Sequence, residues 1–267
     1  MKRLIFTALL GAAATGVFAQ TASTTTATDS VSKKKGKYSF TLGIKENNRD
    51  STSKKRSKAP GFSMGLTFSR FDLGLTALID NGSTRLSPQN EFLRYRSWKT
   101  SNVGFDVFQA GYRFTPAFKM YVAGGFDWEL IRLREDITIQ RTPDMSGLKY
   151  TKDPIDYDKN RFSSAYLRIP IMFDFRSNDD KDGKKWHYVL GPELGVLLTG
   201  RVKQISDENG KQKMNYDYHF TKFRYGAVLR VGHGSSGLFA KYYFNDMFNT
   251  DAQKGLKNAS IGFTVGF

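Results

Sequence analysis

The chain has 267 residues, with 41 Lys and Arg against 25 Asp and Glu, a formal net charge of +16, and no cysteine. The missing cysteines exclude disulfides, a thiolate zinc site, a cysteine nucleophile and a lipidated N-terminal cysteine. The charge raises nucleic acid as a first partner, but its distribution along the chain argues against one.

Lys2 and Arg3 precede an apolar stretch, Leu4 to Leu10, and a run of small residues that ends in Val17-Phe18-Ala19. A basic start, a short apolar core and small residues at the cleavage position read as a secretory signal peptide over 1–19. The apolar core is too short to anchor the chain across a bilayer. Residues 20–61 follow as a Thr/Ser/Lys-rich leader with ten basic residues against Asp29, Glu46 and Asp50, including Lys33-Lys34-Lys35 and Lys54-Lys55-Arg56. That composition predicts a flexible, solvated periplasmic segment. Export removes nucleic acid from the expected partners.

From residue 62 onward the pattern changes to period two. Phe71, Leu73, Leu75 and Ala77 alternate with Asp72, Gly74 and Thr76, and Leu167 to Phe175 alternate with Arg168, Pro170, Met172 and Asp174. Phe223 to Val231 and Ile261 to Phe267 repeat the rule, and such alternation is the mark of strands. Eight are predicted, over 62–79, 96–114, 119–135, 161–176, 185–203, 219–232, 236–246 and 257–267. Their connections alternate between long and short. This predicts an all-β fold over 62–267: a closed, antiparallel, up-and-down transmembrane β-barrel with short periplasmic turns and long external loops. The strands exceed the 9–11 residues that cross a bilayer and should project beyond it. Phe62, Met64, Leu66 and Phe68 are out of phase with Phe71, so a bulge is expected near Ser69-Arg70. Tyr38 to Leu42 also alternate and could extend the sheet, which leaves ten strands as the alternative count.

With the apolar set facing lipid, the other set fills the barrel. It holds Asp72, Asp106, Asp127, Glu129, Asp174 and Glu193 with Arg168, Arg201, Lys222, Arg224, Arg230 and Lys241. A charge facing lipid at mid-membrane costs about 2–4 kcal/mol, and an eight-stranded interior is only wide enough for side chains. A paired, filled lumen follows. A soluble lipocalin-like barrel would reverse the faces. Against it stand aromatics near strand ends, Trp98, Tyr112, Trp128, Tyr166, Trp186 and Tyr188, where interfacial girdles are expected. The ending Phe263-Thr264-Val265-Gly266-Phe267 also looks like the signal read by the bacterial outer-membrane assembly machinery, with Phe267 as its terminal aromatic.

Several segments resemble a known family. Phe71-Asp72-Leu73-Gly74-Leu75, Asn90 to Lys99, Tyr166 to Phe175, Phe223-Arg224-Tyr225-Gly226 and Phe239-Ala240-Lys241-Tyr242-Tyr243 are similar to the PorT-like outer-membrane β-barrel proteins of Bacteroidetes. The resemblance implies an outer-membrane location, and a link to protein secretion in some members. It carries no catalytic motif.

Catalytic, cofactor and metal sites are not expected. His187, His219 and His233 are dispersed, and the rim grouping of His219 with Asp217 and Ser163 or Ser164 has no distinguishing spacing. Asn178, Asp180, Asp182 and Gly183 open like a calcium loop, but Val189 stands where its bidentate acid belongs, so a polar hairpin turn is expected. The leading expectation is a non-enzymatic outer-membrane barrel, surrounded by outer-membrane lipid, that meets envelope or secretion proteins through loops 80–95 and 136–160. A rim enzyme and a narrow diffusion channel are the alternatives.

Overall fold

Alternation of apolar with small or charged residues, enriched in Phe, Tyr, Val and Ile, suits a pleated surface with two different environments. The structure, a computed structural model, describes residues 38–40, 60–66, 70–178, 180 and 183–267. The signal peptide and nearly all of the leader lie outside the described residues.

The strands are β1 (Tyr38–Phe40), β2 (Gly61–Leu66), β3 (Phe71–Asp80), β4 (Ser101–Thr115), β5 (Phe118–Arg132), β6 (Ile137–Ile139), β7 (Tyr150–Lys152), β8 (Lys159–Arg176), β9 (Trp186–Ser206), β10 (Gly210–Tyr216), β11 (Phe223–His233), β12 (Ser236–Tyr243) and β13 (Leu256–Val265). Antiparallel pairing runs β3–β4–β5–β8–β9–β11–β12–β13 and returns from β13 to β3, a ring of eight strands. Connections 81–100, 133–158, 207–222 and 244–255 gather at one end, and the short turns 116–117, 177–185 and 234–235 at the other. Among the described residues no helix is long and apolar enough to cross a membrane.

The first strand is split as its phase requires. β2 and β3 both pair with β4, and the register passes from Leu66↔Phe108 to Phe71↔Phe105. More residues are spent on this side than on β4, which is the effect of a bulge. Ser69 lies outside the described residues; Arg70 is buried there and reaches Asp106 at 3.3 Å. β1 pairs in parallel with β2 outside the ring, so the ring keeps eight members.

Three expectations about strand ends need correction. The second strand begins at Ser101, because Ser97–Lys99 forms a 3-10 turn. The sixth begins at Phe223, because Tyr218 and His219 have φ of 48° and 55° and turn the chain before it. The fifth continues to Ser206 and turns back as β10, in a hairpin that stands above the ring. A second small hairpin, β6–β7, stands where 136–160 is expected to be loop.

Candidate functional site

The lumen is built by one side-chain set per strand. Asp72 from β3, Asp106 from β4, Asp127 and Glu129 from β5, Arg168 from β8, Glu193 from β9, Arg224 and Arg230 from β11 and Lys241 from β12 all point inward and are buried. Arg168 donates to Asp106 at 2.9 Å and to Asp72 at 2.7 Å. Arg230 reaches Asp72 at 2.8 Å, and Lys241 reaches Asp127 at 2.8 Å, with Asp72 at 3.5 Å. Arg224 donates to Asp127 at 2.5 Å and Glu129 at 3.2 Å, with its guanidinium 3.7 Å and 4.1 Å from the ring centres of Tyr166 and Tyr243. Tyr243 donates its hydroxyl to Glu193 at 2.6 Å, and Thr264 to Asp72 at 2.7 Å. In a low-dielectric interior every acid needs such partners, because an unpaired buried charge is costly. Gly104 makes the space: a Cβ there would press on the Arg168 guanidinium and stand 2.8 Å from Asp127 Oδ1.

Toward the turn end, Asp174 holds Arg176 at 2.5 Å and His187 at 3.1 Å. Below the charges, Tyr121, Ala123, Met172, Val189 and Val228 form an apolar cluster against which Phe267 packs. Phe263 and Val265 face outward, but Gly266 at φ 92° turns the last residue so that its ring lies against the space over Gly232 and Gly237, with the His187 ring at 5.2 Å.

Two of the twelve predicted inward charges are not inside: Arg201 and Lys222 are exposed. On β9 the register passes from Tyr166↔Leu197 to Ala165↔Thr199, so one extra residue shifts the phase and sends Arg201 outward. Lys222 precedes β11 and falls in the connection. The lumen also gains Arg70, Lys119 and His187. Lys119 shares the parity of Asp127 and Glu129 on β5, so its place was legible. Of the predicted girdle aromatics, Tyr112, Trp186 and Tyr188 lie exposed at the turn end and Trp128 stacks with Phe105 and Phe126. Tyr166 instead is buried against Arg224, and Trp98, 88% exposed, sits in the 81–100 connection.

At the opposite end the long connections fold onto an apolar core. Leu78, Ile131, Phe162, Val202 and Leu256 from strand ends meet Leu93, Leu133, Ile137, Ile139, Leu148, Tyr218, Phe220, Met247 and Phe248. Gln253 ties three connections together: its Oε1 accepts from the Leu148 amide at 2.9 Å, and its Nε2 donates to Asn90 at 3.2 Å. Asn90 in turn donates to Asp80 at 2.9 Å. Asn160 and Gln204 donate to the Ile137 carbonyl at 2.7 and 3.1 Å and fasten the β6–β7 hairpin to the ring. Two clefts open between these loops. One of about 380 Å³ is lined by Arg85, Arg94, Arg134 and Tyr95; another of about 470 Å³ is lined by Phe92, Tyr150, Glu135, Asp136 and Asp153.

Among the described residues no hydrogen bond joins the His219 ring to Asp217, Ser163 or Ser164. Asp217 accepts the backbone amide of His219 at 3.2 Å and not its ring, whose Nε2 is buried with no hydrogen-bond partner among the described residues. Ser163 donates to the Arg201 carbonyl. At the calcium-like turn, Asp180 accepts from the Lys184 amide at 2.7 Å and pairs with His233 at 2.7 Å; Asp182 lies outside the described residues. No group of three metal-ligating side chains occurs among the described residues.

The family model for the outer membrane protein beta-barrel domain matches residues 18–249. Solved structures with a likeness include Ail, the attachment invasion locus protein of Yersinia pestis, at 14% identity, covering 74% of this chain and 96% of that one with a TM-score of 0.31. The same protein in complex with the heparin analogue sucrose octasulfate matches at 14% identity, over the same shares of the two chains, with a TM-score of 0.30. The curated proteins yield no match. With eight paired strands in a ring, an apolar outer face and this match over most of its length, the chain belongs to the outer membrane protein beta-barrel domain family and resides in the cell outer membrane.

Proposed function

We propose that this barrel is a non-enzymatic binding component of the envelope that engages protein partners through its external loops, in the manner of the PorT-like group whose segments it resembles. The observation that carries the reading is the cap: four long connections share one apolar core, and one hydrogen-bonded glutamine ties three of them. Ordering so much loop costs about 1–2 kcal/mol per residue in backbone entropy, which suits a surface of fixed shape. The ion network buried across the lumen supports the same reading, because it occupies the interior a solute would have to cross. In this reading the segment Phe263 to Phe267 is what the assembly machinery recognises during biogenesis.

The test replaces the exposed tip 141–146, between β6 and β7, with a short Gly/Ser linker. The expected variant keeps its heat-modifiable migration and its level in the outer membrane but loses envelope proteins that crosslink to the parent. Unchanged crosslinking after replacement of both this tip and residues 82–86 defeats the proposal. Steady, sizeable conductance in planar bilayers would restore the channel reading.

A further inference from the structure

The external ends of β8, β9 and β10 form a sheet whose outward face is basic. The register sets Arg161 directly opposite Lys203, and Lys203 directly opposite Lys213. Lys159 and Lys211 flank this row above, each opposite Ile205, and Arg201 lies below, where its Nε donates to Asn215 at 2.7 Å. Lys211, Arg161, Lys213 and Arg201 all act on Lys203 with charge of its own sign. Along these strands the acids stand at the margins: Asp158, whose carbonyl accepts from Arg132, and Asp207 and Glu208 in the β9–β10 turn. Like charges directly opposite on neighbouring strands are destabilising. The Nε of Arg161 is also a buried donor with no hydrogen-bond partner among the described residues.

Charge on a free edge can simply discourage unwanted pairing, and that accounts for Lys211 and Lys213 on β10. It does not account for Arg161 and Lys203, whose strands are paired on both sides. The row also lies high on the ring. On β5, Trp128 stacks with Phe105 and Phe126 and lies opposite Ala165, near the level where outward apolar residues on β8 give way to Arg161. Arg161 is four residues further out along β8, about 10 Å above that level for a strand rising ~3.3 Å per residue at a tilt of 35–45°. The row therefore faces the headgroup layer of the outer leaflet, and the planar Arg fork matches phosphate oxygens.

We propose that this outward face of β8–β10 is a binding surface for the phosphorylated headgroup of an outer-leaflet glycolipid, with Arg161, Lys203 and Lys213 as its phosphate contacts. The surface is the outward face of strands whose inward side chains, Phe162 and Val202, belong to the cap's core, and its assignment does not rest on the cap's role. The full chain in detergent micelles is titrated with bisphosphorylated lipid A, with the same lipid after phosphatase treatment, and with a soluble sulfated polysaccharide. The expected result is at least ten-fold tighter binding of the phosphorylated lipid than of the treated one. Arg161→Gln with Lys203→Gln should abolish that difference, while Arg161→Lys with Lys203→Arg should retain most of it. Heat-modifiable migration identifies the folded fraction in each case. Equal affinity for the two lipids overturns the proposal, as does wild-type binding by the Gln pair, or a requirement for these residues shown only by the polysaccharide.

Discussion

The same strands carry opposite patterns below and above the level of Trp128. Below it β8 turns Leu167 and Ile169 outward and Arg168 inward; above it Phe162 is inward and Arg161 outward. On β9, Glu193 is inside with Val196 outside, whereas further out Val202 is inside and Arg201 and Lys203 are outside. β13 places Ile261 and Phe263 outside with Ser260 and Thr264 inside, then buries Leu256. One tube thus has a charged middle where lipid surrounds it, with the smaller Tyr121 cluster beneath, and an apolar interior where water does. The apolar side follows the better apolar medium: lipid in the band, and the loop core above it, where burial gains about 25 cal/mol per Å². Strand alternation sets two faces, and the surrounding solvent decides which of them is in.

The largest test of that contrast is removal of an acid from the charged part. Asp127→Ala leaves Lys241 and Arg224 without their shortest partner and removes a 3.7 Å neighbour of Arg168. Breaking a buried ion network in this way should cost about 3–5 kcal/mol, read from denaturant unfolding of the barrel in lipid vesicles. Adding Lys241→Met should recover part of the loss. A cost below about 1 kcal/mol would mean a hydrated lumen and would dissolve the contrast.

The matching change above the membrane is Phe162→Ala. Phe162 is wholly buried and packs with Tyr218, Phe220 and Phe248 at ring-centre separations of 5.5, 4.8 and 5.9 Å. The expected loss is about 3 kcal/mol, at the low end for emptying such a site, because the loops above can settle into the space. Hydrogen exchange should rise in 133–158 and 244–255 while the amides of β3 and β13 stay protected. Uniform loosening would show that cap and lumen are one cooperative unit.

Period-two alternation was enough to read the ring, its order and its interior acids, because lipid enforces the pattern residue by residue. Asp72, Asp127 and Arg168 were legible for that reason. Arg201 was not: its parity matches Glu193, and the extra residue between Leu197 and Thr199 that reverses the phase leaves no mark in composition. The cap was equally hidden. Leu93, Ile137, Leu148 and Phe248 are scattered apolar residues inside polar connections, and only tertiary contact gathers them. Gln253, which joins three loops, carries no local signal.

A smaller effect probes how tightly the lumen is filled. Gly104→Ala introduces a methyl group against Arg168 and Asp127. Overpacking of this kind costs about 1–3 kcal/mol. The same unfolding assay measures it, and the loss should shrink when Arg168 is shortened to Lys. An unshrunken loss would place the strain in the backbone and not in the ion network.

The smallest effect has the opposite sign. Lys203 faces Arg161 on one side and Lys213 on the other, with no acid directly across from it. Where water screens them these charges still repel, so Lys203→Gln should stabilise the isolated barrel by about 0.2–1 kcal/mol, the usual size of a cross-strand pair. The gain should fade as salt is raised, since charges on a solvated face are screened within about 10 Å at 0.1 M. Below Trp128 the charges paired with Asp72 and Asp127 cannot be neutralised with a gain, because each belongs to a network that its loss would break. A stabilised Lys203→Gln barrel that is outcompeted by the parent in cells would identify repulsion retained for binding. A destabilised one would mean that Lys203 already has a counter-charge in the folded protein, and the outward face would then resemble the lumen after all.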